Sequence, residues 1–432
     1  MSERNPEVST TPALGTEVLA GITTFLTMSY IVVVNPAILS TPGTGMSFTG
    51  VMTATVVLSF LCTLLMGLWA RIPYAVAPGM GLNAFFAFTI ILGNRVPWPV
   101  ALGIVFWSGV LFLALSLTPA RTAIAEAIPV HVRGGAAVGI GILLTFLGFK
   151  SLGLVVANPV TLVSFGPITT QALVALAGML GMVVLLRRKS PFAFLAGIAG
   201  ITLTGVLLGW VKAPPSLVAA PDFTSVFLKL DFLGSLRLAF LPAILSIVLT
   251  DLFDSLSTFV GLAHASGLKD DRGEPLRVKE GLTVDAIATL VAGLLGTSAG
   301  TAYIESAAGI EVGGRTGRTS VVTALCFLPL LVLSPLAGMV PAYATAPVLI
   351  LIGALLFRSV RTLAIETLEE AVPAFLVAVL IPLTFSITQG LLWGFLAHTA
   401  LFVVCGRARE VRPMMWVLAA FSILLLVLEA RG

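Results

Sequence analysis

Gly296-Thr297-Ser298-Ala299-Gly300-Thr301-Ala302-Tyr303-Ile304-Glu305-Ser306-Ala307-Ala308-Gly309 reads poorly as a continuous helix, although apolar runs lie on both sides of it. Each interior glycine costs a helix about 1 kcal/mol relative to alanine. A second interrupted stretch, Ala77-Pro78-Gly79-Met80-Gly81-Leu82-Asn83, has a proline and two glycines inside an apolar run. Both stretches predict an extended Gly-rich segment that turns helical partway along. Paired interrupted helices at matching places in two halves of a membrane chain point to a binding site near the bilayer midplane. Packing of small residues between helices is the competing explanation, but packing alone needs no carboxylate beside the break, and Glu305 stands there.

Outward from these breaks, composition sets the solvent. The chain has 432 residues, 58% hydrophobic and 10% charged, against about 25% charged in a soluble domain. Runs of about 20 apolar residues, enough to cross a bilayer, follow one another almost from end to end. Backbone amides at that depth need internal partners, which leaves helices or closed barrels. The runs are continuous and lack the alternation of barrel strands, so the expected fold is an all-α integral membrane bundle. Spans are predicted near 17–38, 49–70, 75–93, 98–118, 136–156, 168–186, 192–211, 239–262, 281–297, 303–314, 319–336, 341–357, 371–388 and 390–405, about fourteen in all. A further apolar run covers 414–429.

Loop charge orients this map. With the N-terminus inside, 18 of the 24 basic residues fall in inner segments and four (Arg95, Lys212, Lys229 and Arg237) in outer ones. That asymmetry follows the positive-inside rule. The polar N-terminus lacks the basic stretch of a signal peptide. The longest outer loop, Lys212 to Arg237, divides the chain into seven spans plus seven. Seven is odd, so the second half enters the membrane in the opposite direction, as in an inverted repeat. Spans three and ten, the two interrupted ones, are each third in their set. The scattered basic residues form no basic–aromatic stripe, so no nucleic-acid partner is expected. Cys62, Cys326 and Cys405 have no paired spacing, and His131, His264 and His398 no metal-ligand spacing; no cofactor or metal is expected.

Acids inside the membrane are costly and functional by default. Asp251 and Asp254 lie three residues apart in span eight, on one helical face. Asp251 and Glu305 are the leading site candidates; Asp254 either orients Asp251 or binds neighbouring backbone. Asn83 lines the site or caps its half-helix. Thr23, Thr24 and Thr27 line it or bond their own helix carbonyls. Tyr30 and Phe85 stack on a flat ring or belong to the core. Lys150 snorkels or pairs with an acid. Asp285 reads as a structural partner.

Four motifs carry a family resemblance. They are Gly21-Ile-Thr-Thr-Phe-Leu-Thr-Met-Ser-Tyr30 with Val34-Asn35-Pro36, Ala77-Pro-Gly-Met-Gly-Leu-Asn83-Ala-Phe-Phe, Asp251-Leu-Phe-Asp254, and Gly296 through Ser306. In this order they resemble the AzgA-like guanine/hypoxanthine/adenine permeases, a branch of the nucleobase–ascorbate transporter superfamily. The resemblance implies fourteen helices divided into a core domain (1–135 and 238–337, spans 1–4 and 8–11) and a gate domain (136–237 and 338–432, spans 5–7 and 12–14). It also implies a core that slides like an elevator, a homodimer, and carboxylates at Asp251 and Glu305 that hold the base.

The chemistry agrees with that implication. Guanine and hypoxanthine present N1–H as a donor and O6 as an acceptor, and an ionised carboxylate accepts such hydrogens in charge-assisted bonds. Amides around Gly81-Leu82 and Glu305-Ser306 would donate to O6. Desolvation favours a neutral acid, so Asp251, Glu305 or Asp254 would take up a coupling proton, Asp251 being favoured. The expected partners are therefore a purine nucleobase, a proton and the lipid bilayer of the cell membrane. The alternative is another substrate on the same fold: uracil, xanthine or an anion. An intramembrane enzyme is disfavoured, since no GxGD, HExxH or serine–histidine arrangement is present.

Overall fold

A computed structural model describes residues 12–118, 128–266, 268, 276–363 and 365–429. The polar N-terminus before Pro12, Arg121 and most of the Lys269–Glu280 connection lie outside the described residues. The first half runs α1 (Leu14–Met28), α2 (Ile31–Leu39), α3 (Phe48–Leu65), β1 (Val76–Pro78), α4 (Met80–Ala84), α5 (Trp98–Leu117), α6 (Val130–Ser151), β2 (Val155–Asn158), β3 (Leu162–Phe165), α7 (Thr170–Arg187) and α8 (Ala193–Leu207). The second runs α9 (Leu241–Ser266), α10 (Val278–Leu295), β4 (Gly300–Ala302), α11 (Ser306–Val312), α12 (Gly317–Phe327), α13 (Ser334–Gly338), α14 (Ala342–Phe357), α15 (Leu368–Thr384), α16 (Ile387–Val404) and α17 (Pro413–Glu429).

The protein is a multi-pass membrane bundle. Among the described residues, eight helical stretches are long and apolar enough to cross a bilayer, and four shorter apolar helices accompany them. The outward faces are greasy: Leu180, Leu207 and Val404 are 65%, 77% and 82% exposed. Such exposure is unfavourable in water and neutral against lipid tails.

Several local features depart from the sequence expectation. The all-α description needs two additions, the strand pairs β1–β4 and β2–β3, both antiparallel. The first span is interrupted, because the chain tightens at Val32 N–H to Ser29 O (3.2 Å) before α2 proceeds. The fifth span starts at Val130 rather than 136 and ends at Ser151. The positive φ of Gly153, 71°, turns the chain into the β2–β3 hairpin. The boundary expected between 388 and 390 lies earlier, where Phe385 takes a left-handed φ of 52° three residues after Pro382. α3 and α4 run on into wider π-helical turns at Met66–Ala70 and Phe85–Gly93.

Packing separates the helices into two neighbourhoods. α1, α3 and α12 pack together, as do α5, α9 and α10. Elsewhere α6 packs against α14 and α15, α15 against α16, and α7 against α8 and α14. The α6–α14 crossing is backbone on backbone. A Cβ on Gly353 would lie 2.4 Å from the Gly141 carbonyl, and one on Gly141 would lie 2.7 Å from the Gly353 carbonyl. Only glycine permits that approach. β1 and β4 lie within the first neighbourhood, flanked by α3 and α10.

Candidate functional site

β1 and β4 bring the two interrupted stretches together. Ala77 faces Thr301, and Gly79 N–H donates to Ala299 O and Tyr303 N–H to Ala75 O, both at 2.9 Å. Proline removes one donor from β1, but Pro78 faces Gly300 at a position between the bonded pairs, where the ladder does not use that N–H. The outward carbonyl and amide of Val76 are both met by Thr63, whose hydroxyl donates at 3.0 Å and accepts at 2.9 Å. Tyr303 Oη donates to Pro78 O at 2.5 Å. The Ala75 amide donates to Ser306 Oγ at 3.0 Å. Hydroxyls of Thr63, Thr289, Tyr303 and Ser306 thus serve backbone groups along this short ladder, which lets extended backbone persist inside an apolar bundle.

A buried polar layer fastens the ladder to α2. Ser298 Oγ donates to Asn83 Oδ1 at 2.5 Å, and Asn35 Nδ2 donates to Thr55 Oγ1 (2.7 Å) and Thr297 Oγ1 (2.8 Å). Asn83 and Asn35 are both fully buried. Asn83 therefore ties one break to the other and does not face an opening.

The four carboxyls divide into two pairs by exposure. Asp251 and Asp285 are fully buried, whereas Asp254 is exposed and Glu305 half-buried. The inner pair is held by crossed hydroxyls. Thr289 of α10 donates to Asp251 Oδ2 of α9 at 2.5 Å, and Ser255 of α9 bonds Asp285 Oδ2 of α10. Each hydroxyl follows its own helix's aspartate by four residues, one turn away. Both hydroxyls also reach β4, Thr289 to Gly300 O at 3.0 Å and Ser255 to Thr301 Oγ1 at 2.9 Å. The second oxygens, Asp251 Oδ1 and Asp285 Oδ1, are buried without a hydrogen-bond partner.

The outer pair is the more accessible one. Glu305 precedes α11, and its Oε1 accepts the Tyr30 hydroxyl at 2.7 Å. Tyr30 stands between α1 and α2, and its ring meets Phe194 of α8 edge-on, centroids 4.9 Å apart. Gly81, at the start of α4, approaches α6: a Cβ there would lie 2.8 Å from Ile140 Cγ2. Leu82 and Phe85 are buried.

The remaining candidates are placed as follows. Ser306 is buried under the Ala75 amide. Thr23 and Thr27 spend their hydroxyls on the carbonyls of Leu19 (2.9 Å) and Thr23 (2.8 Å). Thr24 is 1% exposed, its hydroxyl unpaired and set over Gly309 of α11. Lys150 lies 5.9 Å from the Phe88 ring centroid, a cation–π contact. His131 and His398 approach to 3.2 Å between ring nitrogens despite their separation in sequence. Among the described residues, no three metal-ligating side chains cluster.

Sequence reasoning assigned no role to Thr289, Ser255 or Ser298, and read Tyr30 as a stacking ring or a core residue. The signal for the first two was present: Asp285 with Thr289 and Asp251 with Ser255 are matching four-residue spacings on consecutive spans.

Comparison with known proteins gives the site its lineage. The model of a family described as "Permease family" matches residues 15–393. A putative permease of Methanocaldococcus jannaschii is 46% identical over 408 residues, covering 94% of this chain and 93% of the relative. An adenine permease of Escherichia coli is 42% identical over 413 residues, covering 95% and 92%. A guanine/hypoxanthine permease of Bacillus subtilis is 37% identical over 412 residues, covering 93% and 95%. In fold, the chain is similar to the transmembrane domain of a cyanobacterial bicarbonate transporter, with a TM-score of 0.66 at 19% identity, covering 88% of this chain and 97% of that one. At that identity the likeness concerns fold alone. The interrupted spans, the carboxylates beside them and relatives matching over nine-tenths of their length agree: this chain belongs to the AzgA-like guanine/hypoxanthine/adenine permease family, a family of membrane transporters for purine bases.

Proposed function

We propose that the protein is a secondary active transporter that imports guanine, hypoxanthine or adenine with a proton. The observation that carries the reading is the pairing of β1 with β4, which joins the two interrupted stretches, with α4 leaving the ladder at its Gly300 end and the half-buried Glu305 following its Val76 end. Glu305 accepts the base N–H groups in charge-assisted bonds. The first-turn amides of α4, at Gly81 and Leu82, have no intrahelical acceptor and donate to a ring carbonyl. Asp254, the exposed carboxyl of α9, supplies a second acceptor. The adenine permease and the guanine/hypoxanthine permease among the relatives support a purine substrate.

Asp251 is assigned the coupling proton. Thr289 has one hydroxyl hydrogen but touches two acceptors, Asp251 Oδ2 and Gly300 O. A proton on Asp251 satisfies both, since the acid then donates to Thr289 and Thr289 donates to Gly300. Loss of that proton forces Thr289 back to the carboxylate and leaves the β4 carbonyl unpaired, a cost of about 1–3 kcal/mol. Proton binding and the position of the strand before Glu305 are thereby linked.

The fourteen-span, seven-plus-seven reading is supported by the order of elements, since β1–α4 and β4–α11 each come third in their half. It is supported too by the antiparallel ladder, which runs the two segments in opposite directions. The division into a core (1–135 and 238–337) and a gate (136–237 and 338–432) draws support from the two packing neighbourhoods. Among the contacts between the neighbourhoods are Tyr30–Phe194, Gly81–Ile140, Lys150–Phe88, the Thr89 hydroxyl on Phe385 O and the exposed Lys189–Glu311 pair at 3.0 Å. An elevator motion of one against the other is the movement such a division would serve, with the N-terminus cytoplasmic as the loop charge supports.

Uptake of radiolabelled bases into proteoliposomes tests the proposal. An inward proton gradient should drive accumulation of a purine, and collapse of the gradient should abolish it. Accumulation that ignores the gradient refutes the coupling, and uptake of none of the three bases refutes the substrate class.

A further inference from the structure

We infer that Tyr30 sets which purines the site prefers, by covering one of the two oxygens of Glu305. This inference rests on the purine reading above. The Tyr30 hydroxyl lies 2.7 Å from Glu305 Oε1, and its side chain is 1% exposed. Phe194 holds the ring edge-on from α8. The phenol is thus fixed on Oε1 by packing. Glu305 as a whole is half-buried. One of its two oxygens is therefore already engaged before any base arrives.

The bases differ in how many adjacent donors they bring to a carboxylate. Hypoxanthine offers N1–H alone. Guanine offers N1–H and the neighbouring amine N–H, a pair that matches both oxygens of one carboxylate in the manner of a bidentate donor. With Tyr30 in place, hypoxanthine needs only Oε2 and leaves the phenol undisturbed. Guanine must share Oε1 with the phenol or displace it, and displacement also drives the ring against Phe194. Tyr30 is a positioning residue here: it acts on the base through Glu305.

Tyr30→Phe removes the hydroxyl and keeps the ring against Phe194. The readout is the ratio of inhibition constants for guanine and hypoxanthine against one labelled base, measured within the same preparation, so that expression level and membrane insertion cancel. Freeing Oε1 for the guanine amine adds one charge-assisted hydrogen bond, and the ratio should shift toward guanine by about tenfold. Where transport by the variant is too weak to follow, the same ratio is read from thermal-shift titrations of the purified protein with each base. An unchanged ratio, or a shift toward hypoxanthine, overturns the inference. Failure of the purine reading looks different: the unmodified protein then neither transports nor binds either base.

Discussion

Removal of the Thr289 hydroxyl has a calculable consequence. Thr289→Val keeps the branched shape between α9, α10 and β4 and deletes one oxygen. Two groups lose their partner: Asp251 Oδ2, bonded at 2.5 Å, and Gly300 O, bonded at 3.0 Å, both inside a site where Asp251 is 0% exposed. A hydrogen bond to a charged or acidic group contributes about 1.5–3 kcal/mol, and an unpaired buried carbonyl costs about 1–3 kcal/mol. Because both fall on one side chain they are not independent, and the net loss expected is about 2–4 kcal/mol. The assay is thermal unfolding of purified protein in mild detergent, followed by size-exclusion chromatography of the soluble fraction. Thr289→Ser, which restores the hydroxyl, should recover most of the loss. The same variants should differ in transport: Thr289→Val should flatten the dependence of uptake on the proton gradient, and Thr289→Ser should keep it. A Thr289→Val protein as stable as the parent would refute the claim that this hydroxyl satisfies both acceptors, and with it the argument for a proton on Asp251.

Other substitutions probe separate parts of the account. Glu305→Gln keeps an acceptor for Tyr30 but loses the charge, so base affinity in binding assays should fall about 10- to 100-fold with normal membrane insertion; undiminished uptake removes Glu305 from the site. Gly309→Ala places a Cβ 2.1 Å from Thr24 Oγ1 and 2.5 Å from the Ala20 carbonyl. Backbone cannot rotate away, so a loss of about 1–3 kcal/mol in thermal stability is expected, only partly relieved by Thr24→Ala; wild-type stability would show that α1 and α11 separate freely. In the outer loop, burial pushes the Asp222 carboxyl up, but hydrogen bonds from Ser225, Thr49 and Thr224 outweigh it and hold the group well below the usual carboxylate range. A depressed folded value gives stability that is present at neutral pH and lost as the pH falls below about 4. The unfolding midpoint of the unmodified protein should therefore drop more steeply between about pH 5 and 3 than that of Asp222→Asn; parallel curves contradict this role.

Much of the architecture could be read from residue types, for physical reasons. Apolar run length reports bilayer crossing directly, and Gly and Pro inside a run report a break, so both interrupted segments stood out at Ala77–Asn83 and Gly296–Gly309. Intramembrane acids are rare enough that Asp251, Asp254 and Glu305 named themselves. The division of labour among them was hidden. Asp251 and Asp254 share a helical face by spacing, yet one is buried and the other exposed, a difference set by α10 and β4 and not by span eight itself. The spacing of Thr289 and Ser255 from their aspartates carried little weight for a related reason: a hydroxyl in a membrane helix usually bonds its own i−4 carbonyl, as Thr23 and Thr27 do. Their bonds to the neighbouring helix's acid come from tertiary packing. The β2–β3 hairpin was missed because Val155 and Val156 read equally well as the end of an apolar helix, which left Leu162 to Phe165 in the connection to the next span.

The β1–β4 ladder also bears on how this protein tolerates sequence change. Its two strands come from opposite halves of the chain, yet each residue of Val76–Pro78 faces a fixed counterpart in Gly300–Ala302. A bulkier side chain at one position is felt at its counterpart, and flanking hydroxyls at Thr63 and Thr289 fit only the carbonyls this register presents. The halves can drift independently along their outer helices, where lipid accepts most apolar residues. At the ladder they are bound to change together. Paired substitution at these six positions should accordingly be the strongest long-range covariation in the chain, and a transplanted half from a relative should function only if both strands travel with it.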